Sequence, residues 1–98
     1  LNHFLDCLIA YFDKNICIIF KKKRDIDIAY AIVELLKRRE EIENFNKKSL
    51  YILIREMTNV NTSSITSVVN VFKKHYKKVS NNFYSNGTVT LKKINLFF

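Results

Sequence analysis

From Asn61 to Lys78 the chain reads NTSSITSVVNVFKKHYKK, and the two sides of this segment ask for different surroundings. At a helical step of about 100° per residue, Ile65, Val68, Val69, Phe72, Tyr76 and Val79 fall on one side. Ser63, Thr66, Ser67, Asn70, Lys73, Lys74 and Lys77 fall on the other, and that polar side holds no acid. Thr62, Ser63 and Ser64 each carry an oxygen able to accept from a free N–H of a first turn, which predicts a helix over residues 63–78 capped by Ser63 or Ser64. Such a helix has two readings. It is an ordinary amphipathic helix with a solvated lysine edge, or it offers hydrogen bonds to base edges and charge to phosphates.

The charge distribution favours the second reading. The chain of 98 residues carries a net charge of +8, but its abundance of Lys, Asn, Ile, Phe and Tyr also has the look of an AT-rich coding sequence, so bulk charge discriminates little. Position discriminates more. Residues 1–56 hold 11 Lys or Arg and 9 Asp or Glu, whereas residues 57–98 hold 6 Lys and no acid. A codon bias has no reason to exclude acids from one half, and a one-sided basic region is the electrostatic footprint of a polyanionic partner. Length and an ordinary balance of 48% hydrophobic and 27% charged residues fit one domain with one modest core.

Outward from the central segment, Leu1–Asp13 reads as an amphipathic helix that Asn15 ends, and Ile16–Phe20 as a buried strand or a continuation of that helix. Lys21–Arg24, KKKR, reads as an exposed basic loop, with a nuclear signal or a phosphate contact as the functional alternatives. Asp25–Glu43 is the clearest long helix, with Ile28, Ala29, Ile32, Val33, Leu35 and Leu36 as its core stripe. Asn44-Phe45 is an extended link, Asn46 caps a helix over Lys47–Met57, and Thr58-Asn59-Val60-Asn61 is a turn with Asn where a left-handed backbone is needed. Beyond residue 78, Ser80-Asn81-Asn82 breaks the helical pattern. Asn86-Gly87 then joins Phe83-Tyr84-Ser85 to Thr88-Val89-Thr90-Leu91 as a type I′ hairpin.

No catalytic constellation is legible. There is no glycine-rich phosphate loop, no paired carboxylates beside a histidine, and no Ser/His/Asp arrangement. Cys7 and Cys17 lack zinc-site spacing and are expected reduced, with Cys17 buried in the ICIIF run, and His75 is expected to pack between helices. No metal, cofactor or small-molecule ligand is expected. The apolar runs are too short and too often broken by charge to cross a membrane, so an intracellular protein is expected, cytoplasmic or nuclear.

Helix, link, helix, turn, helix and hairpin in this order resemble a winged helix-turn-helix DNA-binding domain over residues 25–98. The resemblance is carried by FNKKSLYILIREMTNVNTSSITSVVNVFKKHYKKV, with Val60 as the apolar turn residue, Thr62-Ser63-Ser64 opening the recognition helix, and Ile65, Val69 and Phe72 as its anchors. It implies a mainly α fold with a small β-hairpin, to which residues 1–24 add an N-terminal helix or strand segment for packing or dimerisation. It further implies that Ser63, Ser64, Ser67, Asn70, Lys73 and Lys74 face the groove of double-stranded DNA. Lys77 joins them on the lysine edge, and Lys92 and Lys93, on a wing formed by the hairpin 83–96, lie beside the backbone. The wing tip, Ser85-Asn86-Gly87-Thr88, carries no cation for the minor groove.

Three functions follow from this pattern. The first is a sequence-specific DNA-binding regulator of transcription, acting alone or as a homodimer, with helix 63–78 in the major groove. The second is a winged helix serving as a protein-interaction subunit of a larger nucleic-acid machine, and the third is an RNA-binding protein or a small enzyme.

Overall fold

The computed structural model describes residues 2–43 and 45–83. Four helices account for most of them: α1 (Asn2–Ile19), α2 (Lys23–Lys37), α3 (Lys47–Thr58) and α4 (Thr62–Phe83). Helix α2 packs against the other three, and α4 also packs against α1 and α3. This follows from its sequence, in which Ile28, Ala29, Ile32, Val33, Leu35 and Leu36 are all buried as the periodicity predicts, together with Ala31. An apolar arc this wide suits a helix with neighbours on several sides.

Helix α1 is one continuous element, not a helix followed by a separate strand. Phe4, Leu8, Phe12, Ile16 and Phe20 are buried at spacings of four, so the apolar stripe runs unbroken through the expected end of the helix. Asn15 does not stop it, because its amide donates to the Tyr11 carbonyl one turn back at 2.7 Å and stays within the helical path. Cys17 is exposed, contrary to expectation, since it falls on the side of α1 away from that stripe. The buried residues of α1 belong to the same core as those of α2, α3 and α4.

Aromatic side chains fasten α1 to α4. Phe12 and Phe72 stack with ring centroids 4.1 Å apart, Phe20 lies against the same Phe72 at 5.9 Å, and Phe4 meets Tyr76 edge-on at 5.7 Å. Early residues of α1 thus meet late residues of α4, so the two helices run antiparallel. Tyr11 and His75 add a hydrogen bond of 2.8 Å between the Tyr hydroxyl and Nδ1. His75 is therefore a packing histidine. Ion pairs join Asp6 of α1 to Arg39, just beyond α2, at 3.1 Å and Asp13 of α1 to Lys37 of α2 at 2.9 Å.

Two helix ends differ from expectation. Helix α2 stops at Lys37, six residues before Glu43, because Arg39 turns back so that its guanidinium donates to the Leu36 carbonyl at 2.9 Å while also holding Asp6. The arrangement satisfies a carbonyl at the negative end of the helix and keeps Glu40, Glu41 and Glu43 out of its last turn. Helix α4 runs past Ser80-Asn81-Asn82 to Phe83. Each of these residues costs under about 0.7 kcal/mol of helix propensity, a weak preference that context overrides, and Tyr76 and Val79 just before them pack against the core.

The winged-helix expectation is overturned by the same observation. Phe83, assigned to the first strand of a wing, closes α4, and among the described residues there is no strand. The described fold is all-helical, not mainly α with a small β-hairpin. The remainder of the expected hairpin, including Asn86-Gly87, Lys92 and Lys93, lies outside the described residues.

The burial of His75 makes stability depend on pH. Burial first, and then repulsion from Lys78, hold the His75 imidazole below its ordinary pKa. The unfolded chain then binds the proton more readily than the fold, so the contribution of His75 is complete above about pH 6.5 and is lost as pH falls from there toward the folded value. The urea midpoint should therefore fall between about pH 7.5 and pH 5.5, and the fall should shrink in His75→Gln. An equal fall in both proteins would assign the effect to other groups.

Candidate nucleic-acid interface

The turn before α4 sets which side of that helix meets solvent. Asn59 ends α3 in the left-handed region at φ 55°, ψ 38°, a conformation that Asn tolerates better than most residues, and its N–H bonds the Arg55 carbonyl at 2.8 Å. Val60 is half-buried against the core. Asn61 then caps α4: its Oδ1 accepts from the Ser64 N–H at 2.9 Å and from the Ser63 hydroxyl at 3.0 Å. The cap is therefore Asn61, not Ser63 or Ser64 as expected. Asn46 caps α3 as expected, accepting from the Ser49 N–H at 3.0 Å. A three-residue turn thus joins α3 to α4.

Buried on one side by Ile65, Val68, Val69 and Phe72, α4 exposes Thr62, Ser63, Thr66, Ser67, Asn70, Lys74, Lys77, Lys78 and Asn81. Lys73 is half-buried at the edge of this face. Ser64 does not belong to it. At 7% exposure Ser64 faces inward, because its position on the helix adjoins Val68 and not Ser63. Ser63 and Ser67 are outward, but the Ser63 hydroxyl donates to Asn61 and the Ser67 hydroxyl to the Ser63 carbonyl at 3.1 Å, so toward a ligand each offers only acceptor lone pairs. Asn70 sits at the middle of the face with its amide free of hydrogen bonds among the described residues. Lys73, Lys74, Lys77 and Lys78 form no ion pair among them either.

No known family, curated protein or solved structure matches this chain.

Around α4 the fold gathers further cations, those of α3 unmarked in the sequence and those of Lys21–Arg24 read there as an exposed basic loop with a phosphate contact as an alternative. On one flank an open cleft of about 450 Å³ is bordered by Lys47, Lys48, Tyr51, Ile52 and Arg55 of α3 and by Thr62 of α4. Tyr51 also approaches Thr66, hydroxyl to hydroxyl, at 3.5 Å. Their spacing in the sequence places Lys47, Lys48, Tyr51 and Arg55 on one side of α3, a signal that could have been read without the structure. On the other flank, Lys21 and Lys22 border a second cleft with Ser67, Val68 and Val71. Only the tertiary fold reveals that proximity.

One acid, Asp25, also borders this second cleft, while three others lie together elsewhere. Asp13, Asp27 and Glu34 border a cleft of about 440 Å³ formed by α1, α2 and the end of α3, with Tyr30, Lys37 and Met57. Glu34 there pairs with Arg38 at 2.8 Å. The Tyr30 phenol in this cleft is held above its ordinary pKa, first by its hydrogen bond to Cys17. Among the described residues no group of three His, Cys, Asp or Glu could hold a metal ion, and no helix is long and apolar enough to cross a membrane.

The position of the cap is testable. Asn61→Ala should lower stability by about 1 kcal/mol in urea denaturation, whereas Ser63→Ala should change it by a few tenths at most. A larger loss at Ser63 would move the cap back to that residue.

Proposed function

We propose that this chain binds double-stranded DNA, with α4 in the major groove and α3 bracing it, and that it reads sequence as a transcriptional regulator inside the cell does. The observation that carries the proposal is the outward face of α4. It presents hydroxyls, then an Asn70 amide and lysines that have no hydrogen-bond or ion partner among the described residues, and it holds no carboxylate from Thr62 to Phe83. A helix of about 10–12 Å diameter matches a groove about 12 Å wide, and an Asn amide can pair with N6 and N7 of adenine together. Lysines at the C-terminal half contribute charge toward phosphates, which adds affinity without regard to sequence.

The test is an anisotropy titration of random duplex, single-stranded DNA and RNA at two salt concentrations, followed by selection of a preferred duplex from a random pool. A preference for duplex with a steep loss on adding salt supports the proposal, while equal binding to all three polymers or none sinks it. Asn70→Ala should then cost on the order of 1–3 kcal/mol on the selected site and much less on random duplex, with one base position relaxed. Identical selected motifs for parent and variant would remove Asn70 as a reader.

A further inference from the structure

The lysines of the α1–α2 turn have no structural employment. Lys21 and Lys22 are exposed, and neither forms an ion pair among the described residues. Nor do they serve α2. Lys22 occupies its N-cap position in an extended conformation without a side-chain cap, and cations at that end are opposed by the helix dipole. Asp25 borders the same cleft, but it is engaged by Arg24 at 3.3 Å.

Their place relative to α4 is specific. On the helical wheel of α4, Asn70 lies near the centre of the exposed arc, with Thr62 and Thr66 on one side of it and Ser67 and Val71 on the other. Tyr51 and the α3 cations adjoin Thr62 and Thr66. Lys21 and Lys22 adjoin Ser67 and Val71. The exposed ridge of α4 therefore runs between two sets of cations, one from the α1–α2 turn and one from α3. A single strand needs one track of charge, whereas a helix lodged in a duplex groove is bordered by two sugar-phosphate backbones.

We infer that Lys21 and Lys22 form a phosphate-binding site for one backbone of a DNA duplex, and that Lys47, Lys48 and Arg55 hold the other. The inference rests on the placement of α4 in the major groove proposed above and adds the two walls that fix its depth and direction. These contacts position the protein and carry no sequence information.

The experiment uses the 98-residue chain and random duplex over a range of salt concentrations, with two double variants and a control. K21A/K22A and K47A/K48A should each flatten the plot of log affinity against log salt by about 0.9 per lysine. The motif selected from a random pool should be unchanged in both. K37A/R38A removes two cations from the side that holds the acids, and its slope should match the parent. To locate the contacts, a tethered cleavage reagent is placed at position 22 or 48 by K22C or K48C, in a chain carrying C7S and C17S. The two probes should cut opposite strands across the groove that holds α4. A parental slope for K21A/K22A, or cuts by both probes on the same strand, overturns the two-walled site even if Asn70→Ala relaxes the motif. Failure of the parent to bind duplex overturns both proposals.

Discussion

The ring of Phe72 stacks against Phe12 of α1 and against Phe20 just beyond it, with centroids at 4.1 and 5.9 Å, and everything outward of α4 depends on that contact. Burying a phenylalanine is worth about 1.5–3 kcal/mol, and an aromatic pair adds about 0.5–1.5 kcal/mol. The ion pairs of α1 with Lys37 and Arg39 are exposed on at least one partner and contribute about 0–1 kcal/mol each. Rings therefore outweigh charges in fixing how the helices sit. With Phe72 inward, Ile65, Val68 and Val69 are inward too, and the arc centred on Asn70 has nowhere to face but solvent.

The same contact decides what lies beside α4. Because Phe4 meets Tyr76 while Phe20 meets Phe72, α1 runs antiparallel to α4 and ends level with its first half. The turn after α1 must then deliver Lys21 and Lys22 to Ser67. The short turn through Asn59 and Asn61 brings the cations of α3 to the other flank. Most acids are meanwhile committed to α1, α2 and the link that follows, where Asp6, Asp13 and Glu34 pair with Arg39, Lys37 and Arg38. The separation of charge along the sequence becomes a separation in space.

Local chemistry and periodicity were legible in the residues. The inward stripes of α2 and α4, the Asn46 cap, the left-handed Asn59 and the packing role of His75 needed only side-chain chemistry and a helical repeat. What escaped was decided by contacts distant in sequence. A five-residue run, Ile16–Phe20, looks alike as strand or helix until Phe72 is placed against it. Arg39 ends α2 through a carboxylate 33 residues earlier, a partner no local pattern announces. Ser80-Asn81-Asn82 reads as a break because these residues are weak helix formers, yet neighbouring packing carries α4 through them. On α4, the Ser64 hydroxyl reads as outward only until its angular position beside Val68 is counted. The flank of Lys21 and Lys22 depends wholly on the course of α1.

The claim at the centre of this account is that one face of the molecule, built around Asn70, meets DNA. A titration of the isotopically labelled chain with a short duplex, followed by amide chemical shifts, tests it most directly. The account predicts that shifts concentrate at Ser63, Ser67, Asn70, Lys74 and Lys77, with secondary sets at Lys21–Arg24 and Lys47–Arg55, while Asp13, Asp27, Tyr30 and Glu34 stay still. Shifts centred on that acidic cleft, or spread evenly over all four helices, would contradict it.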